Sequence, residues 1–427
     1  MKNIALGIAI FVAAFHGFSQ KIPDSLYVAI QEGIRLKTDK YQTFELNVGI
    51  HSQIWMRYMQ LNPNTTDNQG NPVSHDVDLL LRQTSFTTHL AFDRYTFFVQ
   101  TALTPQSHTS SVNSNAPGKI QFYCYDAWGS IKILNNHLIT GAGLTMYNGI
   151  SRYSSASATK TLTADVPVSA LPALSTDDQT GRQLGLFFTG NVGPFSYRTS
   201  ITKPFVANTI PATVEFNKIY FQPNHNLSYK GYFEWQFFDK ESNAMPFKTG
   251  TYMGQKKVLN LGFGFDFHPD ATISYYSDGT FEDFNATHLA VDLFLDYPFQ
   301  NRSALTFYVG QFWYNYGPNF TTSFGFADIY GNGLSEFLQG TGMSTLLQTA
   351  YLLPSKEKSG RVQPFYELTY RYFEGLNHRL IHHNIGLNYY VVGHKIKGTI
   401  QYENRPYYDT NSIARKSMAI VKVQFSL

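Results

Sequence analysis

The sequence is short of charge, of cysteine and of long apolar runs. Asp, Glu, Lys and Arg make up 15% of its 427 residues, whereas typical soluble domains carry about 25%. We therefore expect something other than water to cover part of the surface. Cys124 is the only cysteine, which excludes a disulfide framework. After the N-terminus, no apolar run approaches the about 20 residues of a membrane helix. A net charge of +3 is too small to favour nucleic acid as a partner.

The N-terminus has the pattern of a secretory signal. Lys2 precedes an apolar run over 4–15, and small residues follow up to Ser19. This order of a basic, an apolar and a small-residue region is typical of export signals. We therefore predict a signal peptide over 1–19, a periplasmic lead-in over 20–42 with a short helix over 24–37, and a single folded domain over 43–427.

The rest of the chain is dominated by a two-residue alternation. In the stretch from Phe44 to Tyr58, FELNVGIHSQIWMRY, the even positions are mostly apolar and the odd positions are mixed. Such a period places successive side chains on opposite faces of a β-strand. Sixteen runs of this kind lie near residues 43–59, 78–92, 94–104, 120–133, 137–147, 182–190, 194–203, 228–239, 256–268, 286–297, 303–315, 341–353, 361–374, 379–391, 394–404 and 415–427.

The gaps between these runs alternate between tight turns and longer connections that are rich in Ser, Thr, Asn and Pro. The short gaps include 93–94, 135–136, 190–193 and 393–394. The long gaps are 60–77, 105–119, 148–181, 204–227, 269–285 and 316–340. One link on the short side, 240–255, is longer than this rule allows.

Short turns on one rim and long loops on the other are typical of a transmembrane antiparallel up-and-down β-barrel, with its turns in the periplasm and its loops outside the cell. We predict an all-β barrel of about 16 strands, within a range of about 14–18. The alternative is a secreted soluble β-sandwich or propeller, whose strands are shorter and whose connections lack this asymmetry. In the barrel, the even positions from Phe44 to Tyr58 face lipid and the odd positions face an interior.

The predicted interior face carries seven acids and seven bases once Glu403, Lys395, Lys397 and Lys422 are counted with the candidates named below. A balanced wall has no strong field of one sign, so it predicts weak ion selectivity from the wall itself. The candidate pore-lining residues are Glu45, Arg57, Asp126, Lys132, Arg198, Glu234, Asp266, Asp292, Glu367 and Arg371.

The connection 148–181 is the longest, and loops of more than about 12–15 residues are usually functional or disordered. We predict that it folds into the barrel and narrows the channel. Gly141, Gly143 and Gly185 on the neighbouring inward faces are expected to leave room for it. The candidate constriction residues are Arg152, Lys160, Asp165 and Arg182. The alternative is a flexible external loop.

Several segments resemble outer-membrane porins related to the phosphate-selective porin O and P group. They are DLLLRQTSF (78–86), FYCYDAWGSIKI (122–133), GLTMYNGISRYSSAS (143–157) and FDKESNAMPFKTGTYMGQKKVLNLGFGF (238–265). The resemblance implies a water-filled homotrimeric barrel with arginines and lysines at its constriction. The run of arginines in the relatives is reduced here to Arg82, which is expected to share the strand face of Leu80 and Phe86.

The leading hypothesis is an outer-membrane porin for passive diffusion of small hydrophilic solutes or ions, including anions such as phosphate. The alternatives are a barrel that acts as a receptor or assembly subunit of an export or uptake complex, and a membrane-embedded hydrolase. No nucleophile elbow, phosphate loop or HExxH motif is present, so we predict no enzyme, no metal and no cofactor. The expected partners are outer-membrane lipid, lipopolysaccharide, two further copies of the chain, and the solutes.

Overall fold

The chain forms a closed antiparallel barrel of sixteen long strands in a computed structural model. The model describes residues 23–32, 34–37, 44–61, 66–67, 69–103, 106–107, 122–171, 181–205, 210, 213–323, 337–409 and 412–427. The predicted signal peptide lies outside these residues. No helix among them is long and apolar enough to cross a membrane. The elements are α1 (Asp24–Glu32), β1 (Ile34–Lys37), β2 (Phe44–Gln60), β3 (His75–Phe92), β4 (Tyr95–Leu103), β5 (Gln106–Ser107), β6 (Phe122–Leu134), β7 (Leu138–Thr145), β8 (Gln183–Val192), β9 (Phe195–Lys203), β10 (Ile219–Phe221), β11 (Ser228–Gln236), β12 (Val258–Tyr275), β13 (Phe281–Pro298), β14 (Ala304–Asn315), β15 (Thr321–Ser323), β16 (Phe337–Gly340), β17 (Gly342–Leu352), β18 (Arg361–Phe373), β19 (Leu380–Val392), β20 (Ile396–Asp409) and β21 (Ser412–Ser426).

The barrel closes where its first long strand meets its last. β2 pairs with β3 on one side and with β21 on the other, with His51 opposite Ser426 and Met59 opposite Met418. Each of the sixteen predicted runs corresponds to one long strand, so the predicted fold class and strand number are confirmed. Closure removes the two edges that an open sheet of these sixteen strands would expose.

The N-terminal segment completes the ladder at this seam. β1 pairs with β2, placing Ile34 opposite Val48 and Lys37 opposite Glu45. This is the part of β2 that lies beyond the end of β21, where the Leu427 backbone bonds to Ile50 in both directions, at 2.9 and 3.2 Å. The helix predicted over 24–37 is too long: it ends at Glu32, and Ile34–Lys37 form a strand because they pair with β2.

One predicted long connection, 269–285, is wrong. β12 and β13 continue through it and meet at a tight turn over 276–280. The register shifts between His268 and Thr272, where Asp270 has φ +49°. Pro269 lacks an N–H for the ladder, so the bulge interrupts the alternation and hides the continuing strand from a search for period two.

The two faces of the strands separate as the alternation predicts. Leu261 is 45% exposed on the outer face and pairs with Leu293, which pairs in turn with Val309. Their inward neighbours Asn260 and Asp292 are buried in the barrel. The outer surface is therefore an apolar band, as in a strand barrel that crosses a membrane. The interior is mixed, because charged and polar side chains lie there beside a buried apolar cluster that includes Phe294 and Phe312.

Leu293→Arg is expected to lower the free energy of unfolding by about 2–4 kcal/mol, because it places a charge in the apolar band near mid-membrane. Leu293→Ala is the matched control, and it should cost much less since an outward side chain leaves no cavity. Urea unfolding in phospholipid vesicles measures both variants. Equal stability of the two would mean that Leu293 does not face lipid.

Candidate pore constriction

The connection after β7 turns into the barrel and crosses its lumen. Residues 146–171, called the strap below, are mostly buried and contain two short 3₁₀ turns, Tyr153–Ser155 and Val168–Ala170. Gly264 on β12 allows this crossing, because a Cβ there would collide with the Ile150 carbonyl of the strap. The inward folding of this loop was a prediction, and the described residues lie as it expects. Residues 172–180 lie outside the described part of the chain.

The room for the strap does not come from the three glycines expected to provide it. A Cβ at Gly141 would collide with the Phe187 ring, and one at Gly185 with the Thr202 backbone. Gly143 has φ +137° and lies against Trp128. Gly141 leaves room for the Phe187 ring, and Gly143 and Gly185 allow close approach of the neighbouring strand backbones.

A second loop enters the lumen from the opposite rim. Residues 237–257, called the inserted loop below, connect β11 to β12 on the short-turn side. The strap and the inserted loop pair by their backbones: Lys248 N–H donates to the Ser155 carbonyl at 2.7 Å, Ser157 N–H to the Lys248 carbonyl at 2.8 Å, and Gly250 N–H to the Lys160 carbonyl at 2.9 Å. Sequence analysis missed this loop as part of the site, although the exceptional length of 240–255 was its signal.

Arg152 fastens the first half of the strap to both the wall and the inserted loop. Its guanidinium forms an ion pair with Glu241, lies 3.9 Å from Glu234 and donates to the Thr249 carbonyl at 2.7 Å. It also stacks 3.7 Å above the centre of the Phe294 ring. The side chains of Arg152, Glu234, Glu241 and Phe294 are all buried. A buried cation with this many partners acts as a fixed anchor for the strap.

Two further groups complete this buried cluster. Lys248 forms an ion pair with Glu234, and the Asp292 carboxylate accepts from the Arg152 backbone N–H at 2.8 Å and from the Tyr232 hydroxyl at 2.9 Å. Burial alone would raise the pKa of Glu241, but the positive charges of Arg152 and Lys248 lower it below its usual range. The cluster is therefore charged and internally paired.

The second half of the strap lies on the opposite wall, where side chains of β2, β19, β20 and β21 bind its backbone. The donors are amides and ammonium groups, and the acceptors are strap carbonyls. The contacts are Gln53 to Ala158 at 3.1 Å, Gln424 to Thr159 at 2.9 Å, and Lys397 to Thr161, Asn388 to Leu162 and Lys422 to Ala164 at 2.8 Å each. Because these bonds are to backbone atoms, side-chain patterns in the sequence could not reveal them.

The least buried charges of the constriction lie beside the end of the strap. Arg82 and Asp165 form an ion pair at 2.8 Å, and their side chains are 28% and 41% exposed. Lys160 is exposed on the strap. The register shift between Gln53 and Ile54 turns Arg82 inward, so the sequence-based expectation that it shares a face with Phe86, which is exposed on the outside, is wrong.

The ten candidate pore-lining residues all lie on inward-facing strand positions, but most of them are buried. Glu234, Asp292 and Arg198 contact the strap or the inserted loop. Only Glu45 and Lys132 keep partial exposure. Four of the others form ion pairs: Arg57 with Asp78, Asp126 with Arg182 at 3.1 Å, Asp266 with Lys230 at 2.5 Å, and Glu234 with Lys248. Three form hydrogen bonds: Arg198 with the Pro246 carbonyl at 2.6 Å, Glu367 with Asn384 at 2.6 Å, and Asp292 with Tyr232. Arg371 is buried. Most of the candidate charges are therefore buried and paired, and they are not free to face a solute.

Solved structures of known proteins align with this barrel over most of its length. No protein-family model and no curated protein matches the sequence. The outer membrane channel DcaP of Acinetobacter baumannii aligns with a TM-score of 0.51 at 10% identity, over 92% of this chain and 99% of that chain. The fold is that of a bacterial outer-membrane porin. OprB of Pseudomonas putida aligns with a TM-score of 0.54 at 9% identity, over 90% and 94%. OmpF of Salmonella typhi, solved with daunomycin, aligns with a TM-score of 0.50 at 12% identity, over 92% and 100%.

Proposed function

We propose that this porin-like barrel is an outer-membrane channel for passive diffusion of small hydrophilic solutes or ions. The observation that supports the proposal is the strap, which crosses the lumen and leaves Lys160 exposed and Arg82 and Asp165 partly exposed. A charge in such a confined place acts more strongly on a passing solute than one on a wide, wet wall. The proposal includes export through the signal over 1–19 and a short-turn rim that faces the periplasm.

The resemblance to the phosphate-selective O and P group adds a preference for anions such as phosphate to this proposal. Arg82 is the candidate selectivity residue, because it is the exposed base nearest the strap end. Its charge is offset by Asp165 at 2.8 Å. We therefore expect a weak preference in the native channel, which the Arg82–Asp165 pair controls.

Planar-bilayer recording across a potassium chloride gradient tests both parts of the proposal. Asp165→Asn should shift the reversal potential toward anions, because it leaves Arg82 uncompensated, and Arg82→Gln should shift it toward cations. Asp67→Asn, on an exposed loop away from the strap, is the matched control and should shift it little. Absence of channel activity in correctly folded protein would contradict diffusion. Equal shifts in all three variants would remove Arg82 and Asp165 from the constriction.

One observation favours a second candidate, a receptor or assembly subunit of an export or uptake complex. The inserted loop fills lumen space from the short-turn side and is fixed there by its pairing with the strap. A barrel whose lumen is closed in this way would bind rather than conduct. Bilayer recording distinguishes the two, because a closed receptor should give no discrete conductance steps.

The outer face of the barrel suggests which molecules surround it in the membrane. We expect the apolar band to contact outer-membrane lipid, the long-loop rim to lie at lipopolysaccharide, and three copies to assemble as the resemblance implies. Cross-linking of the folded protein in detergent should then yield a trimeric species.

A further inference from the structure

The turns of the short-turn rim carry a strong excess of positive charge. Outside the lumen, the links 93–94, 135–137, 193–194, 237–257, 299–303, 353–360 and 393–395 contain eight basic and three acidic side chains. The bases are Arg94, Lys240, Lys256, Lys257, Arg302, Lys356, Lys358 and Lys395, and the acids are Asp93, Asp239 and Glu357. The described long-loop connections outside the lumen have the opposite balance, with the acids Asp67, Glu215, Asp278 and Glu374 and the bases Lys218 and Arg379.

The positive charge is confined to one side of the rim. Six of the bases lie on three successive links around the barrel, 237–257, 299–303 and 353–360, and form what we call the basic patch: Lys240, Lys256, Lys257, Arg302, Lys356 and Lys358. The links 93–94, 135–137 and 193–194, on the other side, contribute only Asp93 and Arg94, which lie 3.8 Å apart as an ion pair. The asymmetry therefore belongs to a local surface and not to the rim in general.

The turns that carry the patch are held together by backbone contacts. Arg302 donates to the Lys356 carbonyl at 2.5 Å, and Arg361 donates to the carbonyls of Arg302 and Leu353. Lys256 donates to the Lys240 carbonyl at 2.6 Å. Within the described residues, none of the six bases lies within ion-pair distance of a carboxylate. With six bases against the two acids of the same links outside the lumen, Asp239 and Glu357, the patch has a net charge of +4. The like charges repel one another, so the patch costs stability unless something binds it.

We propose that the basic patch is a docking surface for an acidic polypeptide segment in the compartment that the short-turn rim faces. Complementary charge speeds such encounters and selects the partner. Lys240 and Lys256 flank the point at which the inserted loop enters the lumen, so the docked segment contacts the base of that loop. Lys257 alone lies at the membrane-facing wall, over the Phe238 and Tyr297 rings at 4.2 and 4.9 Å. The others lie in the turns, which favours a polypeptide over lipid headgroups.

The test uses the full-length protein in nanodiscs of zwitterionic phosphatidylcholine, with a fluorescent polyglutamate peptide as the probe at low ionic strength. The variant Lys256→Glu/Lys356→Glu/Lys358→Glu should weaken binding by at least about tenfold. The matched control Lys218→Glu/Arg379→Glu/Arg415→Glu makes the same change in net charge on exposed residues near the long-loop rim, and it should leave binding close to the wild-type value.

Three results would overturn the proposal: no binding by the wild-type protein, equal weakening by both triple variants, or loss of binding when anionic phosphatidylglycerol is added to the nanodisc, which would assign the patch to lipid. If the rim variant fails to fold, Lys356→Ala/Lys358→Ala takes its place and should still weaken binding. In a planar bilayer, the peptide should change the channel current only when it is added to the side that the short-turn rim faces.

Discussion

Arg152→Ala is expected to lower the free energy of unfolding by about 3–5 kcal/mol, the loss typical of breaking a buried ion pair. The variant leaves the carboxylates of Glu234 and Glu241 in the lumen with Lys248 as their remaining cation, and it removes the cover of the Phe294 ring. It also frees the first half of the strap. We therefore expect a less stable protein whose single-channel current is noisier.

Urea unfolding in vesicles measures this change. Arg415→Ala is the control, because its side chain is exposed and loses only hydrogen bonds to Asn404. The double variant Arg152→Ala/Glu241→Ala should recover part of the loss, since it removes one of the two carboxylates that are left with Lys248 as their only cation in the cluster. If Arg152→Ala and Arg415→Ala have the same free energy of unfolding, the ion pairs of Arg152 do not anchor the strap.

Deleting residues 159–171 is expected to increase the single-channel conductance several-fold. This segment is the half of the strap that lies on β2, β19, β20 and β21, so its removal opens the cross-section of the lumen. The strands remain, because their backbone pairing does not involve the strap. Conductance of the variant and the wild type is compared in the same bilayer and salt.

The barrel must be intact for this comparison to be valid. A closed barrel resists unfolding by detergent, so unboiled and boiled samples of the variant should migrate differently in electrophoresis. A deletion variant of unchanged conductance that passes this check would place the strap outside the conducting path. A wild-type barrel without conductance, together with a deletion variant that conducts, would instead support the closed-receptor alternative.

The sequence predicted the barrel well because alternation is a local property. A strand with one face in lipid and one in a polar interior must alternate, so the sixteen runs appear without knowledge of the fold. The prediction fails where local geometry breaks the period. Pro269 and Asp270 form a bulge that ended a predicted strand too early, and the register shift at Gln53 turned Arg82 to the other face.

The site was less predictable because its contacts join distant parts of the chain. Arg152 and Asp165 were selected from their place in the longest loop, yet nothing local indicates that the first contacts Glu241 and the second Arg82. The inward face of a strand also does not reveal whether a side chain contacts water or a loop. Asp292, a candidate for the pore wall, is buried beneath the strap for this reason.

The measurement that tests the constriction most directly is chemical modification of one strap residue during single-channel recording. Lys160→Cys, in a Cys124→Ser background, presents a single thiol at the exposed position of the strap. A charged thiosulfonate reagent should then change the current in a discrete step, because the added group stands in the path of the ions. Complete labelling with no change in current would contradict a channel whose constriction is the strap.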